Sequence, residues 1–177
     1  MITSATIIDQ PYSGQYKERI YDIQSVWNSP YWTWVKFEDD FVEWCGSFRG
    51  LPKMVQLSRK HSKILVLTSD YLYLVDCCSG DLKEYDDSRY QYVSIALTPS
   101  GDFILNCFLS IEKVESSLKD KVVLTSPIKM IDIEFHDWEK NKLQITCEED
   151  RIFDSKYELE LDGDSLEITI KTKTRIG

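Results

Sequence analysis

The side chains best suited to nucleophilic, redox or soft-metal chemistry are few: His61 and His136, and Cys45, Cys77, Cys78, Cys107 and Cys147. His61 lies in the polar stretch Arg59, Lys60, His61, Ser62, and His136 in Phe135, His136, Asp137, Trp138. A catalytic set needs nucleophile, base and orienting group within hydrogen-bond reach. No spacing here assembles one, and exposed loop histidines are the plainer reading. Cys77 and Cys78 are adjacent, so on a strand they would point to opposite faces. That is poor geometry for one ion, and no Cys-x-x-Cys or neighbouring His completes a ligand set. Cys45, Cys107 and Cys147 sit among apolar residues, where small buried thiols are ordinary. The run Asp162, Gly163, Asp164, Ser165 lacks the long loop and distal Glu of a calcium site and reads as a hairpin turn. There is no glycine-rich phosphate cradle and no basic–aromatic patch. With 30 acidic residues, no carboxylate pair stands out for hydrolysis. No catalytic, cofactor-binding or metal-binding residue is assigned.

Bulk properties narrow the class. The chain has 177 residues and a formal net charge of −9. Such a charge opposes general affinity for nucleic acid or anionic membranes, which rests on Lys and Arg meeting phosphate. It suits a basic protein partner, and it also suits simple solubility. Met1 to Gln10 lack the basic start of a signal peptide, and no apolar run reaches membrane-spanning length. An odd thiol count without framework spacing fits reduced cysteines in the cytoplasm.

The elements that must position any site recur at about forty-residue intervals. An apolar run, a polar turn and a second apolar run appear at residues 22–26 and 31–37, 54–57 and 63–67, 93–97 and 102–108, and 131–135 and 142–147. This predicts an all-β fold of four repeated antiparallel units starting near Tyr21, Met54, Val93 and Ile131, in a small propeller-like array. A β-sandwich or long β-meander fits the same spacing. Residues 1–20 are less patterned and read as an N-terminal arm, leaving 21–177 as a single β-repeat domain. In the first unit, 41–44 reads as a strand and Cys45–Gly46 as a turn. In the third, Ile111, Val114 and Leu118 have helix-like spacing and predict a short helical turn.

The stretch Ser94-Ile-Ala-Leu-Thr-Pro-Ser-Gly-Asp-Phe-Ile-Leu resembles the first two strands of a WD-type propeller blade. Asp70-Tyr-Leu-Tyr-Leu-Val-Asp with Ser79-Gly80-Asp81-Leu82 resembles the last two. Neither the Gly-His nor the Trp-Asp signature of that family is present. The resemblance implies radially stacked strands, each unit sheltering its neighbour's faces.

If each unit is an up-and-down sheet, alternate turns emerge at the same end. One end then collects Glu38, Asp39, Asp40, Asp70, Asp86, Asp87, Glu148, Glu149 and Asp150, with the aromatics Phe41, Tyr71 and Tyr90 beside them. The other end collects Arg59, Lys60, His61, Lys119 and Lys140. Turns also favour Asp for backbone reasons alone. The charge pattern nevertheless gives eleven candidate partner-binding residues: those nine acids, Tyr71 and Tyr90. An acidic face of this kind steers a basic protein and aromatics then anchor it. Small size, acidity and the lack of catalytic motifs resemble the profile of a bacterial immunity protein of the polymorphic-toxin or contact-dependent inhibition type. That resemblance implies a non-enzymatic inhibitor covering the active site of a basic, nuclease-like toxin. A protein-interaction scaffold or assembly factor, and a metal-dependent hydrolase, are the alternatives.

Overall fold

The computed structural model describes residues 1–89, 91–150 and 155–175. Among them there is no helix; the chain forms sixteen strands in four four-stranded sheets. By contacts it divides into two compact units, Met1–Gln91 and Tyr92–Gly177.

The first unit holds two sheets. One is built from β1 (Ser4–Ile8), β2 (Lys17–Tyr21), β3 (Trp32–Glu38) and β4 (Glu43–Arg49), in the order β1-β3-β4-β2. The other runs in sequence order through β5 (Pro52–Ser58), β6 (Lys63–Thr68), β7 (Tyr71–Asp76) and β8 (Leu82–Asp87). β6 and β7 are apolar almost throughout and bury both faces, as central strands of a covered sheet do. Val35, Phe37, Phe48, Ile64, Val66, Tyr73 and Val75 share one core. Its aromatic centre stacks Tyr21 on Phe48 at 4.5 Å and Phe37 on Trp44 at 4.4 Å.

The first sheet departs from the sequence reading. Residues 22–26 are not a strand; only Ile23 is buried there, while Val26 is almost bare. The arm instead supplies both edge strands, β1 on β3 and β2 on β4, and the β2–β4 pairing is parallel rather than antiparallel. Cys45 and Gly46 lie inside β4, not in a turn. A Cβ on Gly46 would come within 2.8 Å of Phe37 and of Phe48. The glycine is there so that rings can close over the strand.

The second unit holds β9 (Tyr92–Leu97), β10 (Phe103–Cys107), β11 (Ser110–Val114) and β12 (Lys121–Val123) in one sheet. β13 (Met130–Glu139), β14 (Lys142–Glu149), β15 (Ser155–Asp162) and β16 (Ile168–Arg175) form the other. All pairings in both are antiparallel. Ile104, Ile111, Ile133, Leu143, Ile145, Leu159 and Leu161 form its core. The expected helical turn is the strand β11. Ile111 and Val114 are both buried because that sheet is covered on two faces, so their spacing carries no helical meaning. His136 lies on β13 rather than in a turn.

The four-unit all-β reading therefore holds. Three units start within two residues of the expected Met54, Val93 and Ile131, and the first starts at Ser4 instead of Tyr21. No helix among the described residues is long and apolar enough to cross a membrane.

Candidate functional site

The β3–β4 connection is a tight acidic tip. The Asp39 carboxylate accepts the backbone N–H groups of Phe41 and Val42, each at 2.9 Å, and the Asp39 N–H donates to the Val42 carbonyl at 3.1 Å. The same N–H groups, Phe41 first, hold the Asp39 carboxyl below its usual range. The turn is thus fixed by its own side chain, and it directs Phe41 outward at 94% exposure. Val42 beside it is half exposed and Asp40 is exposed. Glu38 pairs with Lys36, which also lies 3.7 Å from Glu43.

Next to this tip opens a cleft of about 200 Å³ lined by Lys17, Arg19, Val42, Trp44 and Ser79 among others. Arg19 is held in place: its Nη1 donates to the Ser79 carbonyl at 2.8 Å, and its guanidinium lies 4.8 Å from the Trp44 ring centre. The Asp76 carboxylate orders the β7–β8 turn below it, accepting the N–H groups of Cys78 and Ser79 at 3.0 and 3.1 Å. Lys63, 2.7 Å away, holds the Asp76 carboxyl well under the ordinary carboxylate range.

The nine predicted acids do not form one face. In the first unit, β4 passes straight into β5 through Gly50 and Leu51, so turns alternate ends from the tip onward. The Thr3 N–H bonds the Glu38 carbonyl, the Ile2 N–H the Cys77 carbonyl and the Cys77 N–H the Ser62 carbonyl. Glu38, Asp39 and Asp40 therefore share an end with the 76–81 turn and with the basic 59–61 turn. Asp70, Asp86 and Asp87 lie at the opposite end, where the Ser88 N–H bonds the Asp70 carbonyl at 3.0 Å. The sequence pattern groups all six acids and sets the basic turn apart; the structure does not. Reading Cys45–Gly46 as a turn makes two strands of β4, and that extra reversal between the tip and β5 inverts the alternation.

Burial removes two further candidates. Asp70 is 4% exposed, and its carboxylate accepts the Ser29 N–H at 2.7 Å and the Ser69 hydroxyl at 2.6 Å. Tyr71 is 5% exposed and its hydroxyl donates to Asn28 at 2.6 Å. Both are internal anchors of the 22–31 loop. Asp87 is matched locally by Arg89, whose Nε lies 2.9 Å away, and Asp86 is half-buried. Tyr90 lies outside the described residues. In the second unit Glu148, Glu149 and Asp150 are half-buried at the end of β14; Glu149 accepts the Tyr157 hydroxyl and the Asp150 N–H bonds the Lys129 carbonyl.

Sequence reasoning missed the loop 22–31 as a surface feature. It presents Val26 at 91% and Trp27 at 72% exposure. Asn28, Ser29 and the Asp22–Arg49 ion pair pin it, the last through two bonds of 3.1 and 2.9 Å. Two adjacent large apolar residues without a strand period were the available signal.

The other chemistry-bearing groups are dispersed. Cys45, Cys77, Cys107 and Cys147 are buried, and burial pushes each thiol up, to about 11 for Cys45, Cys77 and Cys147 and about 12 for Cys107. Cys78 is exposed, in a turn rather than on a strand. His136 Nε2 sits 2.9 Å from the Thr146 hydroxyl, and the His61 N–H donates to Ser58. Among the described residues no three His, Cys, Asp or Glu side chains converge as a metal set.

No protein-family model matches the chain, and no curated protein matches it. Among solved structures it is similar to "KlHsv2 with loop 6CD replaced by a Gly-Ser linker", at 14% identity and a TM-score of 0.39. The match covers 81% of this chain and 56% of that one, so the chain spans little more than half the length of that structure.

Proposed function

We propose that this chain is a non-enzymatic protein-binding module whose main contact is the β3–β4 tip, and whose partner is a basic protein. The carrying observation is Phe41. A ring 94% exposed on a turn locked by Asp39 is a rigid apolar anchor, and Asp40 and Glu43 beside it supply the charge. Interfaces draw most of their energy from a few such aromatic anchors, while rim charges set the encounter rate. Rigidity before contact lowers the ordering cost of binding.

The narrower form of this reading is a cytoplasmic inhibitor of the immunity type. Its tip would enter the active site of a nuclease-like toxin, where Asp40 and Glu43 meet the Lys and Arg side chains that hold phosphate. It requires no cofactor. The test is capture from the source cell with the parent protein and with Phe41→Ala, followed by mass spectrometry and an assay of the captured protein's nuclease activity. A basic protein retained by the parent, lost by about 30-fold or more with Phe41→Ala, and inhibited on binding supports it. A partner held equally by both variants counts against it.

One observation favours a scaffold instead. The Val26–Trp27 loop is a second rigid apolar surface at the other end of the same unit, and two such ends suit a protein that bridges two others. Loss of separate partners with Phe41→Ala and with Trp27→Ala would select that reading.

A further inference from the structure

We infer that the cleft beside the β3–β4 tip receives a short segment of the partner that carries a carboxylate on one side of an apolar residue and a cation on the other. The inference rests on the tip being the contact surface and adds the chemical order of what it contacts.

The two walls of the cleft carry opposite charge. Lys17 and Arg19 project from β2 on one wall; Asp39 and Val42 belong to the tip on the other, and Trp44 lies between. Arg19 is already partly used by the Ser79 carbonyl and by Asp81 at 3.7 Å. Lys17 is exposed and makes no ion pair or side-chain hydrogen bond among the described residues. Asp39 is occupied with its own turn, whereas Asp40 is exposed and makes no such bond among the described residues. The Met1 α-amino group also lines the cleft, near Asp39, so the uncommitted charges are cationic at the cleft, with Lys17 the uncommitted side chain, and anionic at the tip, with Phe41 and Val42 beside the Asp40 anion. A purely basic segment would satisfy Asp40 and place a like charge against Lys17. A segment running from carboxylate to apolar residue to cation satisfies Lys17, covers Phe41 and Val42, and satisfies Asp40. Complementary order of this kind selects partners by making every other order repulsive.

The test uses an immobilised array of ten-residue peptides bearing Glu, Leu and Arg at alternate positions. Beside them stand the same peptides with Glu replaced by Gln, and peptides with Arg at every charged position. The parent protein is expected to bind the Glu–Leu–Arg peptides about threefold to fivefold tighter than their Gln counterparts, and tighter than the all-Arg set. Lys17→Glu is expected to reverse that preference, and Lys17→Arg to keep it. Both changes are on an exposed side chain, and circular dichroism confirms the fold. All-Arg peptides binding as tightly as the mixed ones, Lys17→Glu leaving the preference intact, or no peptide binding would each overturn the inference. If all-Arg peptides bind well and Phe41→Ala abolishes it, the charge order is wrong and the basic-partner reading stands. If Phe41→Ala changes nothing, the tip itself is not the contact.

Discussion

Replacing Asp70 by Ala separates an internal anchor from a partner contact, and the size of its effect follows from the geometry. The carboxylate is 4% exposed and accepts the Ser29 N–H at 2.7 Å and the Ser69 hydroxyl at 2.6 Å. Hydrogen bonds to an ionised acceptor contribute about 1.5–3 kcal/mol each, and a buried donor left alone costs a similar amount. Ser69 is half-buried, so its freed O–H can turn to solvent while its oxygen still accepts the Leu51 N–H at 2.8 Å. The Ser29 N–H has no ready substitute. The net loss is therefore about 2–4 kcal/mol. With a urea dependence of about 2 kcal/mol per molar, the midpoint falls by roughly 1–2 M. Tryptophan fluorescence reports it well, since Trp27, Trp32, Trp34 and Trp44 all lie in the first unit and only Trp138 in the second. Asp70→Asn keeps one acceptor and should lose less. Partner capture by Asp70→Ala below its unfolding midpoint should match the parent. A stability unchanged within about 0.5 kcal/mol, together with impaired capture, would refute the assignment of Asp70 as an anchor.

Gly46→Ala should destabilise the first unit by roughly 1–3 kcal/mol, because the new methyl meets Phe37 and Phe48 at 2.8 Å; an unchanged urea midpoint would mean the rings yield freely. Of the five thiols, a chromogenic disulfide reagent at neutral pH should modify Cys78 at once and the other four only on unfolding, since they are buried and their ionisation is pushed up to about 11 or 12. Fast labelling of more than one thiol would contradict this. The folded-state ionisation of Asp76 lies below its ordinary 3.8. Its contribution to stability is thus fully present above that value and is lost as pH falls through the folded-state one. Asp76→Asn should flatten the acid limb of a stability–pH curve below about pH 4, and an acid limb identical to the parent's would oppose it.

What was legible in the sequence was local. β6 and β7 match their expected runs because long apolar stretches are bounded by Ser and Asp turns that only a hairpin explains. The first sheet was hidden because its pairing is not sequential. β1 skips to β3, and β2 lies parallel to β4, so no hairpin signal marks either edge. Reading Cys45–Gly46 as a turn split β4 in two, which shifted the phase after the tip and placed Asp39 with Asp70, though they sit at opposite ends. The acidic character of the tip was visible in Glu38, Asp39 and Asp40. Phe41 was visible as an aromatic beside them but was not among the candidate contacts, because at the head of the apolar run 41–44 it also reads as the start of a strand until Asp39 is seen to close the turn beneath it. Asp70 and Tyr71 looked like surface residues for the converse reason: hydrogen-bond partners forty residues away permit their burial.

The central claim is that Phe41 touches the partner. Placing the photo-crosslinker p-benzoylphenylalanine at position 41 tests it in the source cell, with the same group at position 12 as a control, since Tyr12 is 86% exposed and belongs to a different turn, where its carbonyl accepts the Gln15 N–H. One dominant adduct is expected from position 41, to a protein of basic isoelectric point, and none of that species from position 12. No adduct at position 41, or the same adducts from both positions, would contradict it.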